Sequence, residues 1–189
     1  MSIVTKKGDN GTTRLIYGET VSKANEQVEA YGGIDELNAF LGQARAVCDH
    51  QPTKEILEQI QRDSFVIGTE LATPVSKVHQ LKQRVDENMT QFLDSHVAEI
   101  ELMPGILDDW SLPGATVAGA AIDVARVVAR RVERQITRWR NTEPDVNPEI
   151  SRYMNRLSDL LWLLGRRYEI LHGMTSALRK KKSRNVELV

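Results

Sequence analysis

Apolar residues recur at three-and-four spacing over most of the chain beyond residue 27, whereas residues 1–27 show no helical period. A glycine-, threonine- and lysine-rich arm therefore precedes a helical body. The first helix is predicted from Gly33 to Val47, with Ile34, Leu37, Leu41 and Ala44 as its apolar stripe. A second runs from its cap Thr53 to Leu71, striped by Ile56, Ile60 and Ile67. A third covers Asp86 to Leu102 and turns Met89, Phe92, Leu93, His96 and Ile100 inward. Pro104, Gly105, Pro113 and Gly114 then break the pattern. The fourth and longest helix is predicted from Thr116 to Arg140, facing the core with Ala121, Val124, Val128, Val132 and Ile136. The fifth starts at cap Asn147 with Pro148 in the first helical position, and reaches His172 through Met154, Leu157, Leu161, Leu164 and Tyr168.

The expected fold is all-α, a five-helix bundle in a ferritin-like up-down arrangement with the arm at its amino-terminal end. At 189 residues one domain is expected, with residues 1–27 as arm, 28–172 as bundle and 173–189 as a flexible basic tail. The net charge of -1 carries no whole-chain footprint for nucleic acid. No apolar run approaches a membrane span and the amino terminus has no signal-peptide core, so a soluble cytoplasmic protein is expected. Cys48 is alone and cannot form an internal disulfide, which fits a reducing compartment.

Charge does change the picture locally. Residues 124–134 hold four arginines and one glutamate. Arginine is a rigid, always-charged donor fork, so a polyphosphate ligand or a subunit interface is implied. At 100° per residue Arg126, Arg130 and Glu133 share one face, with Arg131, Arg134 and Arg138 on a neighbouring one. The arm, Thr5-Lys-Lys-Gly-Asp-Asn-Gly-Thr-Thr13, combines turning glycines, hydroxyl donors and two lysines. It reads either as a phosphate cradle or as an ordinary turn. It is not a Walker A loop, since no Gly-x-x-x-x-Gly-Lys-Ser/Thr occurs.

Other chemistries lack their residues. The four histidines show no metal-ligand spacing, Glu-x-x-His on two helices, as a di-iron site needs, is absent, and no Gly-x-Ser-x-Gly elbow is present. Trp162 has core periodicity, and the place of Trp110 is open.

Four segments in order resemble the PduO-type ATP:cob(I)alamin adenosyltransferase family. They are Thr5–Thr13, Val28-Glu-Ala-Tyr-Gly-Gly-Ile-Asp-Glu-Leu-Asn38, Leu112-Pro-Gly114 with Arg126 to Arg134, and Tyr153-Met-Asn-Arg-Leu-Ser-Asp159. The resemblance implies a homotrimer that binds ATP and corrinoid between subunits and makes adenosylcobalamin and triphosphate from ATP and cob(I)alamin or a related reduced corrinoid. It implies an ATP site of Thr5, Lys6, Lys7, Gly8, Asp9, Gly11, Thr13, Arg14, Lys23, Arg130, Arg131, Glu133, Arg134 and Asn155, with Mg²⁺ carried by the phosphates. Arg130 would also be catalytic, and Asp35 would pair with Arg126 across the subunit interface. A reductase and an adenosylcobalamin-dependent enzyme are implied as partners.

The chain departs from the family pattern at Trp110, sixteen residues before Arg126, where the family commonly has phenylalanine. Trp110 is expected to supply the hydrophobic wall that strips the lower axial ligand from cobalt and eases Co(II) reduction. The departure leaves the preferred corrinoid open between complete cobalamin and an incomplete precursor. The rival reading is a non-catalytic corrinoid/ATP-binding delivery protein on the same bundle, for which the phosphate arm has little use.

Overall fold

The structure, a computed structural model, describes residue 4, residues 6–174, and residues 177 and 178. Five α-helices make up most of it: α1 Glu26–Val47, α2 Gln51–Leu71, α3 Glu87–Glu101, α4 Val117–Thr142 and α5 Pro148–Leu171. Ahead of them β1 Thr12–Arg14 pairs antiparallel with β2 Thr20–Ser22 around a 3-10 turn at Ile16–Gly18, and a six-residue 3-10 helix, Val75–Gln80, lies between α2 and α3. No helix among the described residues is long and apolar enough to cross a membrane.

The predicted helices are present, with two starts corrected. The first begins at Glu26 rather than Gly33, where Asn25 accepts the Gln27 amide at 2.8 Å as the cap. Gly32 and Gly33 both lie inside α1, although glycine is a poor helix former. Gly33 lets α4 approach, since a Cβ there would lie 3.0 Å from the Val132 side chain. The second helix begins at Gln51, not at Thr53. Thr53 is buried inside it, and its hydroxyl accepts from Arg167 Nη2 at 3.0 Å and meets His50 Nδ1 at 2.9 Å. Thr116 and Asn147 do cap α4 and α5.

Helix α1 packs on α2 and α4, while α5 packs on α4 and α3. Leu37, Leu41, Ile60, Ile122, Ile136 and Tyr153 are fully buried in the shared core. The stripe of α4 differs from its prediction in the first half: Val124 is exposed and Ala121 half-buried, while Ala118, Ile122, Ala125 and Ala129 are buried. Small residues win there because α5 lies close, so the alanine face goes inward and Val124 and Val127 face out. Buried Glu70 pins the α2–α3 connection and the start of α5 together. It accepts from Arg84 Nε at 2.9 Å and Nη2 at 2.8 Å, from the Val85 amide at 2.7 Å, and from Asn147 Nδ2 at 3.1 Å.

The predicted arm is a hairpin rather than a featureless loop. Its far end is held by the Ile16 amide donating to the Ala72 carbonyl at 3.0 Å and by Tyr17 Oη donating to the Gln80 carbonyl at 3.2 Å. Beyond α5, Ala177 bridges Ser111 and the Leu178 amide donates to the Trp110 carbonyl at 2.7 Å. The predicted basic tail from Arg179 onward lies outside the described residues.

Candidate functional site

Two cavities hold much of the arm and, separately, Trp110, Arg126 and Arg130, whereas Asp35, Arg131, Glu133, Arg134 and Asn155 line neither. The first, about 670 Å³, is built on the hairpin and lined by Lys6, Lys7, Gly8, Asp9, Thr12, Thr13, Arg14, Thr20 and Lys23 among others. Residues 8–11 form a turn, with the Gly11 amide donating to the Gly8 carbonyl at 3.2 Å. Gly11 takes φ +81°, a left-handed conformation that glycine adopts without strain. The Lys23 amide donates to the Gly11 carbonyl at 2.9 Å and folds β2 back beside the turn. A Cβ on Gly8 would sit 3.1 Å from Lys23 Nζ, so the glycine leaves room for that ammonium group over the loop. Four cations, Lys6, Lys7, Arg14 and Lys23, face one carboxylate, Asp9. That balance suits a polyanion with several phosphates.

The second cavity, about 870 Å³, opens between the end of α3, the loop after it, α4 and α5. Trp110, Trp162, Leu107 and Leu163 give it apolar walls, and Arg126 and Arg130 project from α4. Glu101, Asp108, Asp109 and Asp159 also line it, so carboxylates outnumber cations four to two. This lining suits a large, flat, mostly neutral ligand better than a free triphosphate. Trp110 is 73% exposed, a large apolar ring standing at the cavity with little of its surface covered.

The two α4 faces predicted from periodicity are separate in space. Arg126 and Arg130 line the second cavity, whereas Arg131 forms an ion pair with Glu36 of α1, which pushes its pKa up further. Arg134 Nη1 donates to the Arg130 carbonyl at 2.9 Å. Glu133 is half-buried, and its carbonyl accepts from the Thr137 hydroxyl at 2.8 Å. Asn155 is exposed on α5, and Asp35 is exposed on α1. Within the chain Arg126 donates through Nε to Asp123 Oδ1 at 3.0 Å. Lys6, Lys7, Gly8, Asp9, Thr13, Arg14 and Lys23 thus share one cavity, and Arg130 and Trp110 share another. Thr5 lies outside the described residues. Among the described residues no group of three His, Cys, Asp or Glu side chains is placed to hold a metal ion.

Sequence reasoning missed part of the second cavity. Trp162, predicted as core from its period, is half-buried and turns toward the cavity, with the Arg166 guanidinium 5.9 Å from its ring centroid. Asp159 lines the same wall. Arg166 and Glu169 are buried in the last turns of α5, and their charge soon after the apolar run from Leu160 to Leu164 was the available signal.

A family model described as cobalamin adenosyltransferase matches residues 3–168. A corrinoid adenosyltransferase of Citrobacter freundii is 37% identical over 164 residues, which cover 87% of this chain and 93% of the relative. The corrinoid adenosyltransferase PduO of Salmonella typhimurium is 36% identical over 170 residues, covering 88% of this chain and 49% of the relative, so the chain spans about half of that protein. Among solved structures, a variant PduO-type ATP:corrinoid adenosyltransferase from Lactobacillus reuteri complexed with cobalamin and ATP superposes with a TM-score of 0.86 at 32% identity, covering 95% of this chain and 100% of that one.

Proposed function

The chain belongs to the cobalamin adenosyltransferase family, and on that premise we propose that its two cavities are the two halves of one ATP:corrinoid site. The protein transfers the 5′-deoxyadenosyl group of ATP to the cobalt of cob(I)alamin or a related reduced corrinoid. The cobalt electron pair attacks C5′, a cobalt–carbon bond forms, the C5′–O bond breaks, and its electron pair leaves with triphosphate. No proton is transferred in that step, so no general base is needed. The protein supplies placement, charge for the leaving group, and a dry wall against the corrin.

The observation that carries this reading is the division of labour between the cavities. The hairpin has an excess of three positive charges among its described lining residues, four cations against Asp9, and Val4 is its one large apolar side chain, too little for a macrocycle. The α4–α5 cavity has two tryptophans and Arg130 but more acids than bases. Each half lacks what the other has. A homotrimer in which one subunit's hairpin closes on the next subunit's α4 joins them, and the outward Val124 and Val127 are available to that contact. In that arrangement Arg130 and Arg134 reach the triphosphate beside Lys6, Lys7 and Lys23, Asn155 contacts the nucleotide, and Asp35 meets Arg126 of a neighbour.

Among the described residues Asp9 is the one carboxylate lining the hairpin cavity, too few for a protein cage, so Mg²⁺ is assigned to the phosphates and no step is derived through it. Cys48 is buried and free, which supports a cytoplasmic setting. A reductase acting on Co(II) is the proposed partner upstream, and an adenosylcobalamin-dependent enzyme downstream.

The test is complementation. Lys7→Ala and Arg130→Ala are each expected to be nearly inactive when purified alone and assayed anaerobically with ATP, Mg²⁺ and chemically reduced cob(I)alamin. Mixed after dissociation and reassembly, they regain light-sensitive adenosylcobalamin and triphosphate formation, because some interfaces then carry an intact hairpin and an intact α4. A mixture as inactive as its components overturns the shared site.

A further inference from the structure

Behind the α4–α5 cavity, outside its lining, lies a buried carboxylate that touches two of the arginines around it. Asp123, 5% exposed, accepts from Arg126 Nε through Oδ1 at 3.0 Å and from Arg166 Nη2 through Oδ2 at 2.7 Å. Arg166, also 5% exposed, shares Nη2 with Glu169 Oε1 at 3.2 Å. The same guanidinium stands 5.9 Å from the centre of the Trp162 ring. Arg126 and Trp162 both line the cavity. One side chain therefore braces a charged wall and, through Arg166, an aromatic wall of the same space.

The cluster holds two acids and two bases, so its charge is balanced without a ligand. Such a buried cluster is a poor way to gain stability, because desolvating four ions costs about as much as their attraction returns. What it does supply is geometry. With Nε taken by Asp123, the Arg126 fork is fixed at its inner edge and its two Nη groups are left to point elsewhere. With Arg166 Nη2 bonded to both Asp123 and Glu169, the Trp162 ring has a tethered cation beside it rather than a rotating neighbour.

We propose that Asp123 is a positioning residue for the corrinoid half of the site, acting through Arg126 and through the Arg166–Trp162 pair. The inference rests on the adenosyltransferase reading and adds a residue to it. Its signature is a split between substrates. Asp123→Asn raises KM for cob(I)alamin at least tenfold while KM for ATP stays within twofold, because Asp123 bonds to Arg126 and Arg166 rather than to the hairpin, Arg130 or Arg134, which meet the phosphates. Asp123→Glu, which restores the charge on a longer arm, recovers part of the corrinoid affinity. A purely structural residue behaves differently: Thr90→Val, which removes a buried 2.6 Å hydrogen bond to Glu149 remote from both cavities, lowers the melting temperature without moving either KM.

Both KM values are measured for wild type, Asp123→Asn and Thr90→Val under the same anaerobic conditions, with melting temperatures alongside. An unchanged corrinoid KM in Asp123→Asn, with activity falling only as the folded fraction falls, overturns the proposal. Should that variant not fold, Arg126→Gln breaks the same contact from the exposed side, and a corrinoid KM equal to wild type again overturns it. Wild type that makes no product sinks the underlying reading as well, whereas active wild type with an unmoved Asp123→Asn sinks the inference alone.

Discussion

Gly119 of α4 lies so close to Glu169 of α5 that a Cβ on it would stand 2.9 Å from Glu169 Oε1 and 2.7 Å from Thr116 Oγ1. Neither oxygen is free to retreat. Thr116 Oγ1 caps α4 by accepting the Gly119 amide at 2.9 Å, and Glu169 is buried against Arg166. Gly119→Ala is therefore expected to destabilise the protein. Overpacking of this kind costs about 1–3 kcal/mol, and alanine's helix preference returns no more than about 1 kcal/mol. Thermal or denaturant unfolding measures the balance, and a variant as stable as wild type would mean that α5 shifts more easily than this contact implies.

Arg130 has the clearest catalytic expectation. It lines the cavity beside Trp110 and belongs to the face of α4 turned away from the Arg131–Glu36 pair. Arg130→Ala should lower kcat by about 10²–10³, or roughly 3–4 kcal/mol, the order seen when a donor to a developing charge is removed from a closed site. Steady-state kinetics decides this, and unchanged turnover removes Arg130 from the mechanism.

The helices were legible in the sequence because most inward positions follow one period: Ile34, Leu37, Leu41 and Ala44 on α1, and Met154, Leu157, Leu161, Leu164 and Tyr168 on α5, are all buried. Periodicity failed where a contact overrode propensity. Gly32 lies inside α1, which begins at Glu26 rather than at the predicted Gly33, and the valine stripe of α4 gave way to alanines where α5 comes close. The arm's composition announced phosphate chemistry but not the hairpin, since three-residue strands are too short to show alternation. The Asp123–Arg166–Glu169 cluster joins residues 43 apart in sequence, and no local pattern announces such a contact.

Trp110 should matter more for reduction than for alkylation. The residue is 73% exposed in the single chain and lines the cavity wall with Leu107. Under the proposed function, a bulky apolar group there would exclude water or a displaced base from the cobalt. Trp110→Ala is expected to make product at near wild-type rate from cob(I)alamin prepared with a strong reductant, and at least about tenfold more slowly from cob(II)alamin under mild reduction. Equal rates in the second assay would remove the wall assignment. Trp110→Phe, which restores the family's usual ring, should retain both activities.

Asp63 makes a pH prediction independent of catalysis. It is buried on α2, where Tyr153 Oη donates to Oδ2 at 2.8 Å and Gln59 Nε2 donates to Oδ1 at 2.8 Å. Burial pushes its pKa up from the ordinary 3.8 by more than those two hydrogen bonds lower it. The native state then holds a proton that the unfolded chain has already released. Across the window from about pH 4 to the raised native value, stability falls as pH rises, and above that window the full cost of the buried charge is carried to neutral pH. Asp63→Asn keeps the size and an acceptor for Tyr153, and Gln59 can turn its amide to accept from the new one. Relative to wild type the variant should therefore gain stability between about pH 4 and about pH 7. Denaturant unfolding of both proteins at intervals over that range measures the difference. If wild type instead gains on the variant as pH rises, the hydrogen bonds from Tyr153 and Gln59 outweigh burial, and Asp63 belongs among the carboxylates that stabilise the fold in their charged form.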